Sequence, residues 1–160
     1  MESTNGFSVE YWGRLGLPNR DVGAPQVQSQ GQASAGCLTL PTDSAERKKY
    51  PLLRGLLNYF PAALARVSRI SYEGNEKHNP GQPLHHARPK STDHGDCILR
   101  HTVDLEELKA RVDSGWGDNA VTREAMLNEA ACRAWRALAE LQELEEQYRG
   151  APIAPAAKYE

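Results

Sequence analysis

The helical repeat of apolar residues after Pro61 is the feature that most restricts the fold of this chain. Apolar side chains recur three or four residues apart in three stretches, separated by segments rich in proline or glycine. The first stretch begins at Pro61, which suits the first turn of a helix. The second runs from about Asp93 to about Val112, and the third from about Thr122 to Arg149. Strand-like alternation is absent from these stretches, so the sequence predicts an all-α domain.

The segments around the second helix indicate where it begins and ends. Residues 79–90, "NPGQPLHHARPK", contain three prolines and a glycine, so we expect a loop. Ser91 or Thr92 can cap the helix that follows. Capping alone could explain Asp93, because acidic groups in a first turn suit the helix dipole. "DSGWGDN" then separates the second helix from the third.

Changes in amino-acid composition and in helical periodicity divide the chain into an N-terminal arm at 1–46, a helical domain at 47–150 and a tail at 151–160. Much of the arm is Gly, Pro, Gln and Ser, which bury too little apolar surface to offset the entropy of ordering. We expect the helical domain or a neighbouring subunit to hold the arm in place.

On the third helix we interpret Trp135, Leu138 and Leu141 as core. Four acidic residues of that helix are interpreted as solvated charge: Glu140, Glu143, Glu145 and Glu146.

Composition restricts the classes of function. The 160 residues suit one domain, and 39% hydrophobic with 25% charged residues is ordinary for a soluble protein. A net charge of −2 gives no electrostatic case for binding nucleic acid or an anionic membrane. No membrane-spanning run or signal peptide is visible, so we expect a cytoplasmic protein. Cys37, Cys97 and Cys132 lack metal-site spacing and are expected to be reduced, small buried side chains.

Two acidic pairs flank the first loop. Glu73 and Glu76 lie three residues apart, and after sixteen intervening residues Asp93 and Asp96 repeat that spacing. Two antiparallel helices joined by the loop would bring all four carboxylates to one end of a bundle. Such a cluster would resist burial unless a cation neutralised it. Oxygen ligands without thiolate favour Mg²⁺ or Mn²⁺, ions that typically serve phosphate chemistry.

The pattern E-x-x-E…D-x-x-D resembles the signature of the MazG superfamily of all-α nucleoside triphosphate pyrophosphatases, which is E-x-x-E followed by E-x-x-D. The resemblance sharpens over residues 48–101 and again at "AWRALAELQELE". This combination is similar to the phage dATP/dGTP diphosphohydrolases, and closely to their MazZ branch. The resemblance covers about Lys48 to Glu146. It implies a MazG-like helical bundle completed by oligomerisation.

The resemblance also implies roles for the acidic residues. Glu73 and Glu76 match the first acidic pair, and Asp96 matches the final aspartate. Asp93 stands where the superfamily usually has glutamate, which leaves its role as metal ligand or catalytic base open. Related phage sequences often carry His at the position of Glu129, so Glu129 is either a further metal ligand or a solvated helical charge.

Other residues near the motif are candidates for contacts with the substrate. Four basic residues either neutralise a triphosphate or are ordinary solvated charges: Lys77, Arg88, Lys90 and Arg100. Five histidines also lie near the motif, but their spacings do not form a tetrahedral zinc site, so Mg²⁺ or Mn²⁺ is favoured. His78 and His101 are expected to support the site, His101 by a hydrogen bond to a carboxylate. The candidates for stacking on or hydrogen-bonding a purine are Trp12, Tyr50 and Trp116.

The activity implied by the resemblance is hydrolysis between the α and β phosphates, with two or more metal ions per site. The MazZ branch implies dGTP and GTP as substrates, with dGMP supplied for 2-aminoadenine nucleotides in a phage-infected host cytoplasm. The residues alone indicate only a nucleoside triphosphate. We expect a homotetramer built as a pair of dimers, without direct nucleic-acid or membrane binding. The alternatives are a dATP-specific or broad house-cleaning pyrophosphatase and a non-enzymatic helical module.

Overall fold

A computed structural model describes residues 38–90 and 92–158. The described chain is mostly helical, which confirms the all-α prediction. Its helices are α1 (Ser44–Arg47), α2 (Pro61–His78), α3 (His94–Asp113) and α4 (Ala120–Arg149), with a π-helical turn at Leu53–Leu57 and a 3-10 turn at Arg88–Lys90. Two short strands complete it, β1 (His86–Ala87) and β2 (Ala157–Lys158). Most of the arm at 1–46, including Trp12 and Cys37, and also Ser91 lie outside the described residues.

Helix α4 is the centre of the helical body, because the main helix packing is of α2 and α3 against it. Two cross-helix hydrogen bonds give the direction of α2. Arg66 Nη1 donates to Glu124 Oε1 at 2.7 Å, and Trp135 Nε1 donates to Ser71 Oγ at 2.7 Å. Residue numbers rise together along both helices, so α2 and α4 run parallel.

Helix α3 runs antiparallel to α4. His101 Nδ1 lies 2.7 Å from Glu129 Oε2, and His94 Nε2 lies 3.4 Å from Glu143 Oε1. The lower-numbered histidine therefore contacts the higher-numbered glutamate. As a result, the C-terminal end of α2 and the N-terminal end of α3 lie beside the same half of α4.

The start of α3 differs from the capping prediction. The residue at the N-cap is Asp93, not Thr92, and the Asp93 side chain makes no capping hydrogen bond to the helix amides. It accepts hydrogen bonds from Arg100 and Cys97 instead. Capping therefore does not explain this carboxylate, because its oxygens contact side chains further along α3.

The apolar core of the described chain is small. Its buried apolar residues are Cys97, Leu105 and Ala131. Leu138 and Leu141 are 49% and 54% exposed, so their interpretation as core is wrong for the single chain, whereas Trp135 is partly buried. None of the described helices is long and apolar enough to cross a membrane.

The tail folds back onto the first loop. Gly150 ends α4 with φ 66°, a left-handed conformation that glycine adopts without a steric cost. The backbone amide of Ala154 then donates to Glu146 Oε1 at 2.9 Å, and β2 pairs in parallel with β1. The loop prediction for residues 79–90 therefore needs one correction, because β1 and the 3-10 turn occupy its second half.

Candidate functional site

The first acidic pair lies on the last turns of α2. Glu73 Oε1 accepts from Arg69 Nε at 2.6 Å, while Glu76 is exposed. Asn75, between them, is buried, and its Nδ2 donates to the carbonyl oxygen of Gln82 at 2.8 Å. This bond fixes the end of α2, which carries both carboxylates, to the loop.

The second acidic pair lies at the start of α3. Asp93 Oδ2 accepts from Arg100 Nη2 at 2.8 Å, and the Cys97 thiol lies 3.5 Å from both carboxylate oxygens. The hydrogen bond from Arg100, followed by that from Cys97, lowers the pKa of Asp93. Asp96 is exposed in a shallow groove that it shares with Leu99, Arg100, Val103 and Asp104.

The two acidic pairs lie on different helices beside the same half of α4. Among the described residues, neither group of side chains able to hold a metal ion includes Glu73, Glu76, Asp93 or Asp96. The two helices run antiparallel to each other, as expected, and the main packing of each is against α4. Convergence of the four carboxylates on one ion therefore stays a prediction.

Glu129 belongs to a mixed group of potential ligands. One donor atom from each of His101, Asp104 and Glu129 lies within 4.8 Å of the others. The Glu129 side chain is 26% exposed and lies 2.7 Å from His101 Nδ1, so Glu129 is the carboxylate partner expected for His101, and its role as a metal ligand stays a prediction. Asp104 was missed, although its position three residues after His101 on α3 was a usable signal.

Cys132 connects this group electrostatically to α2. Burial raises the pKa of the Cys132 thiol most, and the negative charges of Glu129 and Glu73 raise it further. Both carboxylates therefore act on the same half-buried thiol from helices α4 and α2.

Cys97 is buried and Cys132 is partly buried, and both are free thiols, as expected.

A second group of potential ligands consists of His86, His94 and Glu143, whose donor atoms also lie within 4.8 Å of one another. These residues come from β1, the start of α3 and the last third of α4. The histidine spacings alone predict no tetrahedral zinc site, but two of the histidines lie here beside a carboxylate. No local spacing could have shown this group, because its third member is 49 residues beyond His94 in the sequence.

Glu146 is buried, not solvated. Its carboxylate accepts from Arg88 Nη1 and Nη2, and its side chain is 9% exposed beside the 8% exposed Arg88. These hydrogen bonds lower the pKa of Glu146 to about 2. The solvated-charge interpretation is wrong for Glu146, and it is also incomplete for the partly buried Glu143. A phosphate reaching Arg88 would have to displace the Glu146 carboxylate.

The other predicted substrate contacts are exposed. Lys77 and His78 end α2, and Lys90 ends the 3-10 turn. Tyr50 is 46% exposed and Trp116 is 79% exposed.

Trp116 follows the C-terminal end of α3, whereas Asp96 lies in its first turn. The seventeen steps from Asp96 to Asp113 alone span roughly 25 Å of helix, at about 1.5 Å per step. Within one chain, this distance is too long for a single nucleotide to reach both residues. Trp116 of one chain could contact the base only if the phosphates of that nucleotide were bound by Asp96 of another chain.

Comparisons of the chain with protein-family models, with curated proteins and with solved structures gave no match. The MazG-like family and its activity therefore stay predictions from the sequence pattern.

Proposed function

We propose that this chain is a metal-dependent nucleoside triphosphate diphosphohydrolase that cuts dGTP and GTP between the α and β phosphates. The observation that supports the proposal is the position of the E-x-x-E and D-x-x-D pairs. They occupy the end of α2 and the start of α3, which lie beside the same half of α4.

The donor set fits Mg²⁺ or Mn²⁺. Glu73, Glu76, Asp93 and Asp96 offer only carboxylate oxygens, and Glu129 adds another. Glu76 and Asp96 are exposed, so a hydrated ion can reach them without displacing a core side chain. Two or more bound ions would supply charge neutralisation and an activated water.

The protein's own side chains would order the charges around the phosphate chain. Arg100 donates to Asp93 and keeps that carboxylate ionised, as its lowered pKa indicates. Lys77, Lys90 and Arg100 are exposed, and in this proposal their donors would neutralise phosphate oxygens. Arg88 is the weakest of the four phosphate-binding candidates, because Glu146 already occupies its Nη1 and Nη2 groups.

The choice of guanine rests on the resemblance to the MazZ branch rather than on a contact. That resemblance also supports a role in supplying dGMP for 2-aminoadenine nucleotides in phage infection.

The expected homotetramer fits the small core of the single chain, which leaves many apolar side chains exposed.

Pyrophosphate release tests the proposal. The full chain is incubated with each of the four dNTPs and four NTPs in the presence of Mg²⁺ or Mn²⁺, and products are separated by chromatography. We expect dGTP and GTP to give dGMP and GMP with pyrophosphate. Fastest hydrolysis of dATP, or equal hydrolysis of all nucleotides, would favour the house-cleaning alternative. No release, together with no effect of Mn²⁺ on the melting temperature, would favour a helical interaction module.

A further inference from the structure

A buried imidazole, a partly buried imidazole and a carboxylate meet where three separate elements come together. His94, the first residue of α3, is 5% exposed, and its Nδ1 atom is buried without a hydrogen-bond partner among the described residues. The Nε2 atom of His86 on β1 is likewise buried without a partner in this part of the chain. A buried polar atom without a partner is costly, so the His86 Nε2 atom calls for an explanation, whereas His94 faces Glu143 through its other nitrogen, Nε2.

The third member of the group is Glu143 on α4. Its Oε1 lies 3.4 Å from His94 Nε2, which is longer than the usual range of about 2.7–3.2 Å for such hydrogen bonds. Ligand atoms about 2.1 Å from a tetrahedral zinc ion lie about 3.4 Å apart. The observed separation therefore equals one edge of a zinc coordination tetrahedron.

We infer that His86, His94 and Glu143 form a zinc site that fastens β1 and the start of α3 to α4. Two imidazoles and one carboxylate favour Zn²⁺ over Mg²⁺, which prefers oxygen ligands alone. This site is separate from the acidic pairs of the proposed hydrolase, because it shares none of their residues.

Packing around the group restricts the rings. His86 makes an edge-to-face contact with Trp135, with centroids 5.0 Å apart, and another with His94 at 6.1 Å. Burial, followed by the charge of Arg88, lowers the pKa of His86. Glu143 and Glu146 bring two negative charges to these surroundings, and Arg88 and Arg136 bring two positive charges.

Zinc binding at this site would also order the tail. The backbone amide of His86 donates to the carbonyl oxygen of Ala156 at 2.8 Å, and β1 pairs with β2. An ion that fixes the His86 side chain would therefore hold the strand against which the tail packs. Hydrogen exchange should slow in the segment around His86 and in residues 151–158 when zinc is added.

The test uses the full chain, stripped with EDTA and dialysed, then titrated with Zn²⁺ in competition with a chromophoric chelator. We expect saturable binding below the micromolar range, and tetrahedral visible bands when Co²⁺ replaces Zn²⁺. Because removing a ligand should cost at least as much as removing a supporting hydrogen bond, Glu143→Gln and His86→Gln should each weaken binding by about 100-fold or more. Glu143→Gln changes a partly exposed side chain, so it remains informative if His86→Gln does not fold.

Two matched controls make the result decisive. His85→Gln removes the neighbouring histidine, whose Nδ1 lies 2.9 Å from the Pro83 carbonyl oxygen, and should leave zinc affinity unchanged. Glu129→Gln removes a member of the other ligand group and should also leave it unchanged. Zinc binding lost in Glu129→Gln but kept in Glu143→Gln would overturn the inference, as would no saturable binding by the wild-type chain. Neither measurement depends on nucleotide hydrolysis, so failure here is distinguishable from failure of the proposed function.

Discussion

Arg88 and Glu146 form a two-point ion pair that joins the first loop to the last turns of α4. The guanidinium Nη1 and Nη2 atoms lie 2.5 and 2.9 Å from the two carboxylate oxygens, and the two side chains are 8% and 9% exposed. Gln142 Nε2 and the amide of Ala154 donate to the same carboxylate. Glu146 therefore connects the loop, the central helix and the tail.

Replacing Glu146 with Gln should lower the free energy of unfolding by about 3 kcal/mol, because the change removes the negative charge that pairs most closely with the buried Arg88 guanidinium. Glu145→Gln is the matched control, since Glu145 is an exposed neighbour and should change stability by no more than about 0.5 kcal/mol. Urea unfolding followed by circular dichroism at neutral pH measures both. Equal effects of the two substitutions would show that the ion pair does not stabilise the fold.

The same pair should make stability depend on acid pH. The folded-state pKa of Glu146 is about 2, below its ordinary value of 4.5, so the unfolded chain takes up the proton at higher pH. The stabilisation is therefore fully present above about pH 4.5 and is lost as pH falls towards 2, amounting to about 3 kcal/mol. The difference in unfolding free energy between the wild type and Glu146→Gln should shrink across this window. A constant difference would contradict the lowered pKa.

The periodic parts of the fold were predictable, and the long-range parts were not. A helix beginning at Pro61 and a long last helix ending at Arg149 are confirmed, because apolar repeats and helix-starting residues are local signals. Glu146 and a solvated glutamate look the same in the sequence, since the burial of Glu146 depends on an arginine 58 residues away. The pairing of β1 with β2 is equally invisible, because neither two-residue strand has a repeat.

In the candidate site, too, the local spacing of residues was predictable and the contacts between distant residues were not. Spacing placed Glu73 with Glu76 and Asp93 with Asp96, and the structure puts these pairs beside one half of α4. Spacing could not show that α4 packs against both α2 and α3. It also could not show the group of His86, His94 and Glu143, whose members come from three elements.

The hydrogen bond between Trp135 and Ser71 should stabilise the contact of α2 with α4. Trp135 Nε1 donates to Ser71 Oγ at 2.7 Å, and both residues are partly buried. Ser71→Ala leaves the indole N–H without this acceptor and should cost about 1 kcal/mol of unfolding free energy. Ser68→Ala, at an exposed position one turn earlier on α2, should be neutral or slightly stabilising. Ser71→Ala proving as stable as Ser68→Ala would contradict the prediction.

Asp96→Asn tests the metal site of the proposed hydrolase. Asp96 is the last acidic position of the E-x-x-E…D-x-x-D pattern and is exposed, so the substitution should leave the helical circular dichroism unchanged. Loss of one charged metal ligand should lower turnover by about a hundredfold or more. Glu107→Gln, an exposed carboxylate later on α3, is the control and should retain full activity. Near-normal turnover by a folded Asp96→Asn chain would remove Asp96 from the metal ligands.

The exposed apolar side chains predict that the chain assembles into a homotetramer built as a pair of dimers. The segment before α2 exposes Leu53, Tyr59 and Phe60 by 61%, 73% and 53%, and α4 exposes Leu138 and Leu141 by about half. Surfaces of this kind usually mark contacts between subunits, and two-fold symmetry is the commonest way to cover them.

Substituting both Leu138 and Leu141 with Asn should therefore shift the particle mass measured by light scattering towards that of a smaller species, because the change places polar groups in the expected contact. Val121→Asn is the control, since Val121 is 80% exposed at the opposite end of α4 and should not affect assembly. Deleting residues 1–40 should also weaken assembly and base selectivity, if a neighbouring subunit holds the arm. A wild-type chain that is a stable monomer with full activity would contradict both expectations, because neither the apolar surface nor the arm would then need a second copy.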